Sequence, residues 1–262
     1  MNMIRSLAIA SLAALAVSGA AYGAYPGTYG LQDGPMLRWG TLQIRASNAA
    51  GDTAVSVGGK SVTVGGAYGI PTMITTNTPL GLFHDGSRFV LQSTGIEKHS
   101  SFLVVRTDDL QVAQTITLPG SFAFDALSPD GKTLYLIEHR SADFGHYVVR
   151  AYDLSSQVLL PGRIADKAQS SWVMRGYPAA RIETSNGRWV YTLYSNPGGS
   201  PFVHALDTVK GVAHCVGFAW HGDQNQLLHY HLAIAGNRLL LRGPTGALYR
   251  AIDRTTWAVR TR

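Results

Sequence analysis

Four residues near the C-terminal third carry the donor types of a metal site. His221, Asp223, His229 and His231 fall within eleven positions, and imidazole nitrogens with a carboxylate are ligands for a divalent ion. If 228–234 is a strand, His229 and His231 stand at i and i+2 on one of its faces. No tight ligand spacing such as H-x-x-x-H accompanies them. The reading set against metal ligation is a group of hydrogen-bonded polar residues lining a wet channel, and that is the expectation. No cofactor is expected, a divalent metal at these four residues being the alternative.

A second set could bind rather than react. Trp172 and Arg175 precede one strand-rich repeat, and Trp220 precedes the next beside His221 and Asp223. Exposed Trp and Arg dominate interface energetics, so Trp172, Arg175, Trp220, His221, Asp223 and Arg140 are the candidate binding residues. The competing reading makes each Trp a plug between packed sheets and pairs Arg140 with Asp143 inside one loop. For catalysis the chain offers little: no G-x-S-x-G, no H-E-x-x-H and no phosphate loop. Glu97, Asp143, Asp166 and Asp223 are spread over separate loops among Lys98, Arg140, Lys167 and Arg175.

The elements that must position these residues are announced by a repeat. LSPDGKTLYLIEH around Gly131 recurs as LFHDGSRFVL around Gly86, IETSNGRWVYTL around Gly187 and LAIAGNRLLL around Gly236, with the glycines 45, 56 and 49 residues apart. Periods of this length signal propellers and other arrays. Asp-Gly and Asn-Gly suit tight hairpins in which both central positions take positive φ, and each following strand is apolar on both faces. Four repeats divide into strands a to d. The second runs 80–83, 88–92, 102–107 and 112–118; the third 122–127, 133–138, 147–152 and 158–164. The fourth runs 179–184, 189–194, 202–206 and 212–218; the fifth 228–234, 238–242, 247–252 and 256–259. Residues 37–66 form a degenerate first blade with turns at 48–52 and 58–59, and 67–78 is a connecting loop. Asp109, Asp153, Asp207 and Asp253 follow the third strands as turn caps, as Asp85, Asp130 and Asn186 do in the first turns. The fold class is all-β, a propeller of about five four-stranded blades.

SPDGKTLYLIE followed by YVVRAYDLSS resembles the repeats of TolB-like and YVTN-type bacterial β-propellers, and the resemblance spans about 70% of the chain, from Thr78 onward. It implies a binding platform, although similar folds carry lactonases, glycosidases and quinoprotein dehydrogenases. Such propellers usually have six or seven blades, and only about five are counted here.

Composition agrees with a sheet-rich, turn-rich protein: 29 glycines and 15% charged residues, against a usual charged share of about 25%. Basic residues are scattered despite a formal charge of +6, so no nucleic-acid partner is expected. Residues 1–23 read as a signal peptide cleaved between Ala20 and Ala24. Their apolar core, Leu7 to Val17, is too short for the roughly 20 residues of a spanning helix, so no stable membrane insertion is expected. Residues 24–36 are an extended segment and 37–262 the propeller domain. Cys215 is the only cysteine, which excludes an internal disulfide.

In such a blade the a-to-b and c-to-d turns share one end, and the b-to-c and d-to-a connections the other. The second class is long and irregular, and binding residues concentrate on irregular loops held by a rigid scaffold. The sequence thus points to a secreted or periplasmic propeller that binds a protein, peptide or glycan on its long-loop face. The alternative is a hydrolase or lyase, lactonase-like, using His and Asp groups at the central channel.

Overall fold

The computed structural model describes residues 26–28, 35–49, 51–73, 78–94, 98–140, 145–168 and 172–260. The signal-peptide reading, Asp143 and Glu97 lie outside them. Five antiparallel sheets follow one another in chain order, each with sequential neighbours paired. Blade 1 is Leu37–Trp39, Leu42–Ala49, Asp52–Val57 and Lys60–Gly65. In blade 2 Arg88–Ser93, His99–Arg106 and Val112–Pro119 are strands b to d. Blade 3 is Phe122–Leu127, Thr133–His139, His146–Asp153 and Val158–Leu159, with Met174–Arg175 added along the third strand. Blade 4 is Tyr177–Glu183, Trp189–Ser195, Phe202–Asp207 and Val212–Gly217, and blade 5 is His231–Ala235, Arg238–Arg242, Leu248–Asp253 and Val259–Arg260.

Strands apolar on both faces are covered on both faces. Ile44 and Val55 meet Phe89 and Val105 between blades 1 and 2. Phe102 and Ile116 meet Phe124 and Leu136 between blades 2 and 3. Tyr135 and Tyr147 meet Val190 and Leu206 between blades 3 and 4, and Leu193 and Val203 meet Leu239 and Ile252 between blades 4 and 5. The face of blade 1 turned away from blade 2 carries Gln43 and Arg45, both exposed.

The innermost strand of blade 2 departs from the expected 80–83. Tyr68–Gly69 pairs with the far end of Arg88–Ser93, and Leu82 bridges Phe89 at its near end. Between them the expected connecting loop is instead a hairpin, Pro71–Met73 against Thr78–Pro79, flanked by the strand Pro26–Thr28. Met73 is buried and lines a small cavity with Asp125, Ile137, Pro178 and Tyr194, so this hairpin packs beside the strands of blades 3 and 4.

The a-to-b turns are also not the expected type. Phe83, Ser128 and Thr184 accept hydrogen bonds from the N–H groups of Gly86, Gly131 and Gly187, and only the glycines take positive φ. Asp85, Asp130 and Asn186 hold these four-residue loops by accepting from the N–H two positions on. In the c-to-d turns Asp153, Asp207 and Asp253 each accept from the N–H groups two and three residues ahead. Asp109 is not their equivalent: Arg106 holds that place in the i-to-i+4 turn, and Asp109 accepts from Gln111 N and pairs with Arg106.

Blade 5 starts later than expected. Residues 224–229 form a 3₁₀ helix because the Asp223 carboxylate accepts from Asn225 N at its start and Leu227 anchors it in the core.

Candidate functional site

The innermost strands of blades 1 to 4 converge on a funnel of about 530 Å³ at the a-to-b turn end. It is lined by apolar Leu37, Leu80, Leu82, Phe124 and Leu127 and by polar Arg38, His84, Arg181 and Glu183. That volume and mixture are what a ligand pocket offers.

Glu183 is the last residue of the inner strand of blade 4, and His84 opens the a-to-b turn of blade 2. His84 Nε2 lies 2.9 Å from Glu183 Oε1, with about a third of each side chain exposed (28% and 35%). Burial raises the Glu183 pKa, against the opposing pull of the Arg181 and His84 charges; the exposed tip limits how far this goes. One turn glycine creates the space for the imidazole. A Cβ on Gly187 would sit 2.2 Å from His84 Nε2, and Gly187 has φ +69°.

Beneath the pair, Arg181 is fixed from the next blade. Its Nη1 donates to Asp125 Oδ1 at 2.8 Å and its Nη2 to the Asp125 carbonyl. Both side chains are buried, at 9% and 5% exposure. A buried charge is held only when paired and hydrogen-bonded, so this ion pair is a rigid floor for the funnel. Arg38, which also lines the funnel, is exposed and has no ion pair among the described residues. The arrangement offers a free cation, a carboxylate that holds its proton more strongly than usual, and an imidazole in contact with it.

The sequence-selected residues are elsewhere. Trp220 meets Tyr230 and Tyr249 edge to face, with centroids 5.2 and 5.0 Å away, and its indole donates to the Asp223 carbonyl. Trp172 is half-buried against Phe202. Both are plugs between strands and loops rather than a rim. Arg140 pairs with Glu138. Arg175 and His221 are exposed on the long-loop side. Asp223 is spent on its helix cap, and His229 belongs to that helix, so His229 and His231 do not share a strand face. No three His, Cys, Asp or Glu groups come together as a metal site among the described residues.

Sequence reading passed over Asp125, Arg181, Glu183 and His84. Their signal was local: an Asp inside the apolar strand FAFDAL, and Arg and Glu alternating at the end of AARIE.

No protein-family model matches the chain, and no curated protein is found as a relative. Solved structures do match in shape. The fold is a β-propeller. The β-propeller domain of Cps50 (Swd1) from Myceliophteria thermophila superposes with a TM-score of 0.50 at 10% identity, covering 91% of this chain and 71% of that one. TolB from Acinetobacter baumannii gives 0.46 at 15% identity, over 87% of this chain and 56% of that one. A putative 6-phosphogluconolactonase from Bacteroides uniformis gives 0.48 at 15%, over 86% and 68%. The chain thus spans little more than half the length of the TolB it matches. Among the described residues no helix is long and apolar enough to cross a membrane.

Proposed function

We propose that this chain is an exported binding propeller whose ligand enters the funnel at the a-to-b turn end, as a short segment of a protein partner. The observation that carries the reading is the funnel itself, which brings an unpaired Arg38, the His84–Glu183 pair and apolar side chains into one cavity. Such a pocket receives an apolar side chain and satisfies a carboxylate and a donor group beside it. Its floor is immobile because Arg181 and Asp125 are mutually satisfied, which lowers the cost of ordering on binding. The long-loop face supports the reading less well, since its tryptophans are consumed in packing.

The test is capture of partners from an envelope extract with the mature protein as bait. Arg38→Ala, His84→Ala and Glu183→Gln baits are expected to lose what the wild type recovers, and Arg175→Ala and His221→Ala baits to keep it. The opposite pattern returns the site to the long-loop face.

One observation favours a second reading. A carboxyl group with a raised pKa against an imidazole is an acid–base couple, which a lyase or lactone hydrolase would use. A panel of lactones and esters tests it: turnover that Glu183→Gln abolishes would establish the enzyme.

A further inference from the structure

Behind the funnel wall, the face of blade 4 that packs on blade 3 carries groups that the proposed ligand site does not use. Strand register sets Arg181 opposite Thr192, Thr192 opposite His204, and His204 opposite Cys215. Residues paired across antiparallel strands share a face, with Cβ atoms about 5 Å apart. Cys215 Sγ lies 3.9 Å from Met174 Sδ, and Met174 is completely buried. His204 is 2% exposed, and its Nε2 meets no hydrogen-bonding partner among the described residues.

We propose that Cys215, Met174 and His204 form a binding site for a single copper(I) ion. Thiolate, thioether and imidazole are a soft donor set, which selects copper(I) over magnesium, calcium or manganese. The sulfur separation fits. With a metal–sulfur bond of about 2.3 Å, two sulfurs around one trigonal ion stand about 4 Å apart.

An entry path exists. Cys215 lines a cleft of about 410 Å³ with Asp166, Trp172 and Phe202, and the Asp166 carboxylate accepts from Cys215 N at 2.6 Å. That negative charge favours a cation and disfavours an anion at the cleft's inner end. Loading breaks the S–H bond, forms the copper–sulfur bond and releases one proton to solvent, with no change of oxidation state.

The probe is copper(I) itself, presented anaerobically as its coloured bicinchoninate complex. The wild type is expected to withdraw one equivalent. Cys215→Ser and Met174→Leu should each weaken uptake by at least the 10- to 100-fold that losing even an outer-shell partner costs, while His229→Ala and His231→Ala leave it unchanged. X-ray absorption on the loaded wild type, which does not depend on a variant folding, should show sulfur neighbours. The proposal is overturned if the wild type withdraws no copper, if a folded Cys215→Ser protein takes up as much, or if the bound ion has only nitrogen and oxygen neighbours.

Discussion

His84 and Glu183 belong to blades that are not adjacent in the chain, yet their side chains meet at 2.9 Å across the mouth of the funnel. The contact depends on Gly187, whose missing side chain leaves room for the imidazole. Gly187→Ala should therefore displace His84 and act on partner binding as His84→Ala does. It should also cost more than about 1 kcal/mol of stability, because alanine is strained at positive φ. Binding and thermal unfolding of the two variants side by side check this. If Gly187→Ala binds normally, the imidazole is not held where the structure puts it.

The Asp125–Arg181 pair gives a second expectation. Removing one partner leaves a buried, uncompensated charge, so Asp125→Ala should destabilise by about 3–5 kcal/mol. Arg181→Met combined with Asp125→Ala should cost clearly less than the sum of the two single changes. Denaturant titration of all three variants closes the cycle, and additive losses would show that the two groups are not coupled.

The repeat was legible because its determinants are local. LSPDGKTLYLIEH contains its own turn, cap and strand, so strands b, c and d of blades 2 to 4 lie close to where pattern alone sets them, except that strand d of blade 3, expected over 158–164, is only Val158–Leu159, with Ile164 left as an isolated bridge to Val149. Failures arose where tertiary packing decides. Nothing local in 67–78 says that Pro71–Met73 will fold back to pack beside blades 3 and 4. The helix at 224–229 exists because Asp223 caps it and Leu227 finds a core, which hydrophobic pattern cannot separate from a strand. The funnel was missed for the same reason. Asp125, Arg181, Glu183 and His84 come from three blades, and only the curvature of the array brings them together. Loop irregularity pointed to the opposite end, where Trp172 and Trp220 turn out to seal gaps.

That sealing role has its own test. Trp220→Ala should lower stability by about 2 kcal/mol, from lost burial beside Tyr230 and Tyr249, and leave partner binding intact once the protein is folded. Arg175→Ala, on the same side but exposed, should change stability by no more than about 0.5 kcal/mol. A Trp220→Ala protein as stable as wild type would make the indole a surface residue after all.

Turn carboxylates set the acid response. Asp109 is held down to about 2 by Arg106 and the Gln111 N–H. The backbone N–H groups of the c-to-d turns lower Asp153 and Asp253 below the usual 3.8. For Asp207, burial works upward, but Arg188 and the Lys210 and Val209 N–H groups outweigh it. Each group has a folded pKa below its unfolded value, so its stabilisation is full above about pH 4 and is lost as pH falls toward 2. Unfolding midpoints across that window should decline, and less steeply in Asp253→Asn. A flat profile would mean the caps do not discriminate between charged and neutral forms.

The central claim is the place where the partner sits, and hydrogen–deuterium exchange of the protein with and without its captured partner reads it directly. Binding in the funnel predicts slowed exchange at 36–38, 78–84 and 181–184, with 195–201 and 219–227 unchanged. Protection confined to 195–201 and 219–227 would contradict the account and put the site on the long-loop face.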